Sequence, residues 1–452
     1  MRQKMLREQR KFFQSGVTRQ VAFRLAALAI LQKAIKRWEA EIIRALKKDL
    51  GKSEFESYET EIGLIYEEIR FARRHLRGWT RIKRVKTPLV QFPSRSYIRK
   101  EPLGNVLIIA PWNYPFQLTV SPLIGAIAAG NTAVVKPSEL SPATAEVIEK
   151  MIAETFEPHY IHVVLGGIRT TQSLLEQKFD HIFFTGSTRV GALIAQKAAQ
   201  TLTPVTLELG GKSPCIVDET ADIPLAARRI AWGKFLNAGQ TCVAPDYIIC
   251  QEKVQKTLTD ALKKVIDEFW PGDATENEDY PKIINTQHFE RLVRLMESGN
   301  ILIGGKADES KRKISPTVLV DVSKDSSVMQ EEIFGPILPV LTYRKLDEIP
   351  RIINNAPLSF YLFSTSKENE EYLLNNIPFG GGCVNDTIVH LSTPYLPFGG
   401  VGQSGTGSYH GKKSFDCFSH EKSILKKGNW LDIRLRYPPY ARKLKMLKRF
   451  LH

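Results

Sequence analysis

The chain has 452 residues, more than one ordinary hydrophobic core organises, so its length predicts two or three domains. With 43% hydrophobic and 25% charged residues, the composition indicates a soluble globular protein and excludes a disordered one. The formal charge of +15 falls mainly in residues 426–452, which hold nine Lys or Arg and one Asp. The sequence shows no module of basic and aromatic residues of the kind that binds nucleic acid, so no nucleic-acid partner is expected.

The first 80 residues carry helical patterns. Apolar side chains recur every three or four positions, as in Leu28, Leu31, Ile35, Trp38, Ile42 and Leu46. A second helical stretch is predicted over residues 56–79. Residues 81–103 place three prolines among alternating apolar side chains, which predicts an extended or hairpin segment that leaves the compact domain.

Short apolar segments alternate with helical ones from residue 104 onward. Strands are predicted at residues 106–110, 133–135, 162–165, 181–185 and 204–207, and helices such as 142–154 and 190–199 lie between them. This alternation predicts crossover units and a parallel sheet covered on both faces. Ligands of such sheets bind beyond the carboxyl ends of the strands, so the loops after residues 110, 136, 165 and 185 are the places to search.

A second α/β region runs from residue 212 to about 397, with strands predicted near residues 215–217, 247–250, 317–320 and 337–342. The glycine-rich run of residues 399–407 follows it. So many glycines suit neither a helix nor a strand interior, so we expect close approach of backbone there. At the end of the chain, Leu444, Leu447 and Leu451 fall at helical spacing among basic residues. This predicts a short amphipathic helix that touches an anionic membrane surface, or else a solvated tail that only improves solubility.

The cysteine pattern and the apolar segments indicate a cytoplasmic protein. No Cys-x-x-Cys or Cys/His spacing typical of a metal or disulfide framework occurs among the five cysteines, Cys215, Cys242, Cys250, Cys383 and Cys417. The first ten residues lack the apolar core of a signal peptide. The longest apolar stretch, residues 118–135, is interrupted by proline, glycine and asparagine, which indicates burial rather than a membrane span.

Cys242 is the candidate nucleophile. Gly239 and Pro245 flank it and predict a turn. Reactive thiols occur in such shaped, partly exposed places, whereas the alternative is a small buried hydrophobic side chain. The case therefore depends on the other polar residues that the sheet edges supply.

Three of those residues admit two interpretations each. Gly186 and Ser187 stand where a strand turns into a helix, which suits phosphate binding or simply a serine helix cap. Glu208 follows about 20 residues later. It suits either a ribose-binding carboxylate or a general base near Cys242, and sequence spacing does not decide between them.

The remaining candidates lie in three loops. Asn113, between two prolines, could donate a hydrogen bond to an oxyanion or bond only its own turn. Lys136 ends a predicted strand and is placed to meet a ribose or a phosphate. The segment with Glu332 and Phe334 combines carboxylates with an aromatic ring before a turn, which also describes a solvated loop with one core anchor.

Six motifs resemble, in order and spacing, those of the NAD(P)-dependent aldehyde dehydrogenase superfamily: Pro-Trp-Asn-Tyr-Pro (111–115), Lys-Pro-Ser-Glu (136–139), Phe-Thr-Gly-Ser-Thr (184–188), Leu-Glu-Leu-Gly-Gly-Lys (207–212), Gly-Gln-Thr-Cys (239–242) and Glu-Glu-Ile-Phe-Gly-Pro (331–336). Residues 239–247, 396–412 and 436–440 are similar to its class 3 branch, the fatty and aromatic aldehyde dehydrogenases. The resemblance covers nearly the whole chain.

This resemblance implies roles for the candidate residues. Cys242 is then the nucleophile and Glu208 the general base, and the side-chain amide of Asn113 and the backbone N–H of Cys242 form the oxyanion hole. The cofactor residues are Lys136 and Glu139 at the adenosine ribose, Gly186 and Ser187 at the pyrophosphate turn, Glu332 at the nicotinamide ribose and Phe334 near the nicotinamide. Glu139 should repel the 2′-phosphate of NADP⁺, so NAD⁺ is expected to be preferred and NADP⁺ tolerated.

The implied fold is α/β, with a Rossmann-type cofactor domain (residues 1–80 and 104–208), an α/β catalytic domain (209–397) and a small bridging element that pairs subunits (81–103 and 398–441). Residues 442–452 form the basic amphipathic tail. A cytoplasmic homodimer is expected, with weak peripheral membrane contact through the tail as an option.

The implied activity is oxidation of a medium or long aliphatic, or aromatic, aldehyde to its carboxylic acid. Two alternatives stay open. The first is a specialised semialdehyde dehydrogenase or an acyl-CoA-forming one, and Glu208 argues against CoA because it provides for hydrolysis. The second is a non-catalytic binding relative, against which the intact Cys242, Glu208 and Asn113 speak.

Overall fold

The computed structural model describes residues 2–353, 356–441 and 443–451. Sixteen α-helices occur in these ranges: α1 Arg2–Gln14, α2 Val21–Leu50, α3 Glu54–Ser57, α4 Gly63–Trp79, α5 Gln117–Ala129, α6 Pro142–Thr155, α7 Ile168–Leu175, α8 Thr188–Ala199, α9 Ile223–Phe235, α10 Gln255–Phe269, α11 Thr286–Leu295, α12 Ser327–Gln330, α13 Ile349–Ile352, α14 Lys367–Asn376, α15 Lys412–Cys417 and α16 Leu444–Leu451. A π-helical turn, Tyr58–Ile62, joins α3 to α4.

Eighteen strands form four sheets within the same ranges: β1 Lys83–Val85, β2 Ser94–Pro102, β3 Asn105–Ile109, β4 Thr132–Lys136, β5 Ile161–Val163, β6 His181–Thr185, β7 Val205–Glu208, β8 Pro214–Val217, β9 Tyr247–Gln251, β10 Asn300–Ile303, β11 Ala307–Asp308, β12 Lys313–Ile314, β13 Thr317–Val320, β14 Ile337–Tyr343, β15 Ser359–Phe363, β16 Gly381–Val384, β17 Gly405–Thr406 and β18 Ser419–Lys427. The predicted strands and helices of the sheet regions are confirmed with small shifts of their ends.

Two large sheets carry the fold. The first has the order β17-β7-β6-β3-β4-β5, and all its pairs are parallel except β17 with β7. The second has the order β10-β13-β14-β9-β8-β15-β16 and is parallel apart from β10. Strands β3, β4 and β6 are buried along their whole length, as expected of apolar runs covered on both faces. The predicted α/β class is confirmed.

Strand register brings the candidate residues to one edge of the first sheet. Ile109 of β3 pairs with Lys136 of β4, and Thr185 of β6 pairs with Glu208 of β7. All four are the last residues of their strands, so the loops that follow them leave from the same carboxyl edge.

The predicted extended segment of residues 81–103 is confirmed as β1 and β2, which form a three-stranded antiparallel sheet with β18. Residues 405–406, within the range 398–441 that the sequence analysis assigns to the bridging element, form β17 and pair with β7 of the first sheet. A Cβ at position 405 would lie 2.5 Å from the carbonyl oxygen of Leu207, so only glycine allows this approach.

The predicted amphipathic tail helix is confirmed as α16, on which Leu444, Met446 and Leu447 are exposed. Residues 442 and 452 of the predicted tail lie outside the described residues. Within the described ranges, none of the helices combines the length and the apolar content that crossing a bilayer requires.

Candidate active site

A cavity of about 740 Å³ gathers loops from both large sheets. Seven of the nine candidate residues line it: Asn113, Gly186, Ser187, Glu208, Cys242, Glu332 and Phe334. Lys136 and Glu139 do not. The structure therefore brings the three catalytic candidates and four of the six cofactor candidates together in a single concave site.

Cys242 is half-buried in the wall of this cavity. Three consecutive residues before it, Asn237, Ala238 and Gly239, have positive φ values of 52°, 51° and 74°. Positive φ is costly for residues other than glycine, so packing must hold this turn in place. Burial, together with the carboxyl groups of Glu332 and Glu208, raises the pKa of the Cys242 thiol to about 12.

Glu208 ends β7 with its carboxyl group enclosed. The residue is 2% exposed, and neither carboxylate oxygen has a hydrogen-bond partner among the described residues. Burial raises the pKa of this carboxyl group well above its ordinary value. A buried carboxyl group without a partner is destabilising, and its position in the cavity wall suits a proton acceptor.

Asn113 bonds across to the loop of Cys242 rather than to its own turn. Its side-chain Nδ2 donates to the carbonyl oxygen of Gln240 at 3.0 Å, and its backbone carbonyl accepts from Nδ2 of Asn237 at 2.8 Å. An amide nitrogen carries two N–H groups, so one remains for a ligand in the cavity. This contact holds the Asn113 amide close to Cys242.

Lys136 and Glu139, which do not line the cavity, form an ion pair. The Lys136 Nζ lies 2.8 Å from Oε2 of Glu139, and it also donates to the carbonyl oxygen of Pro137 at 3.0 Å. Lys136 is buried, whereas Glu139 is partly exposed. The Glu139 carboxylate lies beside Gly167, in the loop after β5. The pair thus joins two adjacent loops at the carboxyl edge of the sheet.

Gly186 and Ser187 form the turn from β6 into α8. The Ser187 side chain caps α8 by accepting from the backbone N–H of Val190 at 3.5 Å. A Cβ at position 186 would lie 2.5 Å from the ring of Phe184, which explains the glycine. Both proposed properties of this turn are therefore present: the serine cap, and a helix N-terminus that opens on the cavity and suits an anion.

Glu332 and Phe334 line the same cavity from the segment before β14 of the second sheet. A Cβ at position 210 would overlap the Glu332 carboxylate. The glycine at this position therefore leaves room for that carboxylate in the cavity. Burial, followed by the nearby Asp246, raises the pKa of Glu332 to about 8. The Phe334 ring packs edge-on against Trp112 with 5.3 Å between the centroids. The open glycine positions, the helix N-terminus and the carboxylates fit a nicotinamide dinucleotide.

A model of the aldehyde dehydrogenase family matches residues 3–424. The chain belongs to the aldehyde dehydrogenase family. It is 53% identical to 4,4'-diaponeurosporen-aldehyde dehydrogenase of Staphylococcus aureus over 98% of this chain and 97% of that protein. It is 47% identical to dimeric NADP-preferring aldehyde dehydrogenase of Canis lupus familiaris over 96% of this chain and 97% of that protein. A structure of the substrate-bound state of Staphylococcus aureus AldH matches with a TM-score of 0.98 and 52% identity over 100% of both chains.

As an aldehyde dehydrogenase, the protein is an oxidoreductase that converts aldehydes to carboxylic acids with NAD(P)⁺. The resemblance to class 3 members seen in the sequence motifs is confirmed. The sequence prediction of the family, the activity and the cofactor therefore holds.

Two residues that hold the Glu332 loop of this aldehyde dehydrogenase, Lys212 and Asp246, are not among the candidates predicted from the sequence. Lys212 donates to Asp246 at 2.5 Å and to the carbonyl oxygen of Val328 at 2.8 Å. Asp246 in turn accepts from the backbone N–H of Ile333 at 3.0 Å. These contacts fix the loop that carries Glu332. Both residues lie in segments that carry the family resemblance, residues 207–212 and 239–247, and this position is the sequence signal for their role.

Proposed function

We propose that Cys242, Glu208 and Asn113 carry out the oxidation. The observation that carries this proposal is their joint position in one cavity: a half-buried thiol, an enclosed carboxyl group without a partner, and an amide held to the thiol's own loop. Nucleophile, base and oxyanion donor are the three groups that acyl chemistry at a carbonyl carbon needs.

The thiolate form of Cys242 attacks the aldehyde carbon and leaves negative charge on the former carbonyl oxygen. The side-chain N–H of Asn113 and the backbone N–H of Cys242 stabilise that oxyanion. NAD(P)⁺, when bound, supplies the acceptor for the hydride that leaves the same carbon. Glu208 then removes a proton from the water that hydrolyses the Cys242 thioester, which releases the acid and restores the thiol.

We assign the cofactor to the carboxyl edge of the first sheet. Lys136 and Glu139 would meet the adenosine ribose, the Gly186–Ser187 turn the pyrophosphate, Glu332 the nicotinamide ribose, and Phe334 the nicotinamide end. NAD⁺ is the preferred cofactor because Glu139 repels a 2′-phosphate, and Lys136 partly neutralises that carboxylate, so NADP⁺ is tolerated. The name of the canine relative, NADP-preferring, supports the tolerance.

The substrate is a medium or long aliphatic, or aromatic, aldehyde. Apolar side chains dominate the wall near the thiol, with Trp232, Leu236, Ile388, Val389 and Leu391 among them. The Staphylococcus aureus relative is named for a 4,4'-diaponeurosporen-aldehyde, which supports an apolar substrate. Glu208 supports hydrolysis over transfer to CoA.

The working form is a cytoplasmic homodimer. The three-stranded sheet and its neighbours leave large apolar side chains in water, with Leu89 exposed by 90% and Trp430 by 72%. Exposed apolar groups of this size mark interaction surfaces. Residues 81–103 and the chain after β17 would then be the bridging element, between a cofactor domain built on the first sheet and a catalytic domain built on the second.

A purified-protein assay tests this function. The protein is given NAD⁺ or NADP⁺ and a panel of aldehydes of increasing chain length, and NAD(P)H formation is followed. We expect kcat/KM to rise with chain length and Cys242→Ala to abolish the reaction. Cys383→Ala, which removes a half-buried thiol outside the cavity, is the matched control and should remain active. Activity that survives in Cys242→Ala would overturn the proposal.

A further inference from the structure

An ion pair between Lys52 and Glu61 lies fully buried behind the catalytic loops. The Lys52 Nζ is 2.6 Å from Oε1 of Glu61, and both side chains have no exposed surface. Lys52 stands between α2 and α3, and Glu61 stands in the π-helical turn before α4. A buried ion pair is seldom worth its desolvation as a stabilising contact alone, so the bonds that surround it indicate what it does.

The second oxygen of Glu61 holds the start of α5. It accepts from the backbone N–H of Phe116 at 2.8 Å and from that of Gln117 at 3.1 Å. These amides belong to the first turn of the helix, where donors lack partners within the helix and the dipole favours an anion. The carboxylate thereby fixes the C-terminal end of the loop that contains Asn113.

Lys52 holds the same loop at its centre. Its Nζ donates to the backbone carbonyl oxygen of Asn113 at 3.3 Å and lies 3.9 Å from the centroid of the Tyr114 ring. The Tyr114 hydroxyl is in turn 2.6 Å from Oγ1 of Thr241, the neighbour of Cys242. One buried pair therefore contacts three successive parts of the Asn113 loop.

We propose that Lys52 and Glu61 are positioning residues for the oxyanion donor. Together they fix the backbone of residues 113–117, so that the Asn113 amide is already oriented when charge develops on the aldehyde oxygen. The inference rests on the proposed role of Asn113. Preorganised donors contribute to catalysis because they need no rearrangement in the transition state, and small displacements of such groups are costly in rate.

Non-additivity of mutations tests the proposal. Glu61→Gln keeps the shape of the side chain and weakens its hold, and it is made in the wild type and in Asn113→Ala. We expect Glu61→Gln to lower kcat for hexanal about tenfold in the wild type and to have no further effect in Asn113→Ala. The dissociation constant of NAD⁺, measured by fluorescence titration, should stay within about twofold, because the pair touches no cofactor residue.

Two further variants separate positioning from stability. Asp49→Asn alters another buried carboxylate, which accepts from the amides of Ala143 and Thr144 at the first turn of α6 away from the cavity, and it should keep its kcat. Lys52→Arg keeps the buried charge with a different head group, and it should show the same coupling to Asn113 even if Glu61→Gln fails to fold.

The outcomes are distinguishable. The positioning role is overturned if Glu61→Gln lowers kcat by the same factor in Asn113→Ala as in the wild type. It is also overturned if Asp49→Asn loses as much activity as Glu61→Gln. Either result leaves the proposed function intact. Asn113→Ala with full activity overturns the role of Asn113 itself, and the positioning role falls with it.

Discussion

The side-chain nitrogen of Asn113 lies 3.0 Å from the carbonyl oxygen of Gln240, two residues before Cys242. The two residues are 127 positions apart in the sequence, and this bond joins a loop of the first sheet to the turn that carries Cys242. The bond therefore holds the Asn113 amide and the turn of the thiol together.

Glu208→Gln should separate the two halves of the reaction. Hydrolysis of the thioester needs a base, so we expect the steady-state kcat to fall about 10²-fold or more. Our proposal assigns Glu208 to hydrolysis and not to the attack by Cys242, so one rapid equivalent of NADH per site should remain in stopped-flow traces. Because burial raises the carboxyl pKa, wild-type kcat should rise with pH well above the ordinary range of a glutamate, and the variant should lose that dependence. A burst that disappears with kcat would instead place Glu208 before hydride transfer.

The reactivity of Cys242 should follow its raised pKa. With a thiol pKa of about 12 in the free enzyme, alkylation of Cys242 by iodoacetamide should accelerate about tenfold per pH unit between pH 7 and 9. Glu332→Gln removes a carboxylate that raises this pKa, so the variant should react faster. The gain should be largest above pH 8, where Glu332 is ionised. Peptide mass spectrometry measures the modification, and equal rates in both proteins at pH 9 would contradict the electrostatic account.

Cofactor preference should depend on Glu139. Glu139→Gln replaces with an amide the carboxylate that we assign to the adenosine ribose, and it leaves Lys136 without its ion-pair partner. We expect kcat/KM for NADP⁺ to rise about fivefold and that for NAD⁺ to fall slightly, with the NADP⁺ effect shrinking as salt is added. Glu146→Gln, an exposed change on α6, is the control. An unchanged ratio of NADP⁺ to NAD⁺ would show that Glu139 does not contact the ribose.

Glu59, an acidic residue in the cavity lining, should lower kcat/KM for aldehydes that carry a negative charge. Glu59 lies in the π-helical turn, is exposed, and lines the cavity beside Thr60 and Leu64. Glu59→Gln should improve kcat/KM for an aldehyde with a terminal carboxylate about two- to fivefold and leave that for hexanal unchanged. Glu54→Gln, in the adjacent α3 and outside the cavity lining, is the control. Equal gains for both aldehydes would refute charge selection and revive the semialdehyde alternative.

The tail helix should bind anionic membranes. Peripheral contact through α16 is our proposal, since exposed Leu444 and Leu447 accompany Lys443, Lys445 and Lys448. Each lysine near an anionic surface contributes about 1 kcal/mol, so replacing all three with glutamine should weaken the affinity for phosphatidylserine liposomes, measured by sedimentation, by about 10²-fold. Deleting residues 442–452 should abolish it, and neutral phosphatidylcholine liposomes should bind neither protein. An unchanged pellet after deletion would mean a solvated tail.

The sequence predicts the parts of this site that lie next to strand ends. Parallel pairing brings the ends of β3, β4, β6 and β7 to one edge, so the sequence alone predicts Asn113, Gly186 and Glu208 at that edge. It does not predict the pair of Lys52 and Glu61. A lysine in a connection between helices and a glutamate in a helical stretch are usually exposed to solvent, and only tertiary packing encloses this pair. The ion pair of Lys136 with Glu139 was not predicted for a related reason, because the motif of residues 136–139 identifies the two residues but not the contact between their side chains.

The pairing of Gly405 with Glu208 also determines when the first sheet is completed during synthesis. The edge strand β7 receives its neighbour from a segment almost 200 residues later in the chain. Until the ribosome has released β17, β7 pairs with β6 alone, and its outer edge, which ends at Glu208, has no neighbouring strand. Contacts over such long sequence separations form late because closing a large loop is slow. A nascent chain that stops before residue 405 therefore leaves this edge of the first sheet open, and the six-stranded sheet is complete only after residue 406 has been made.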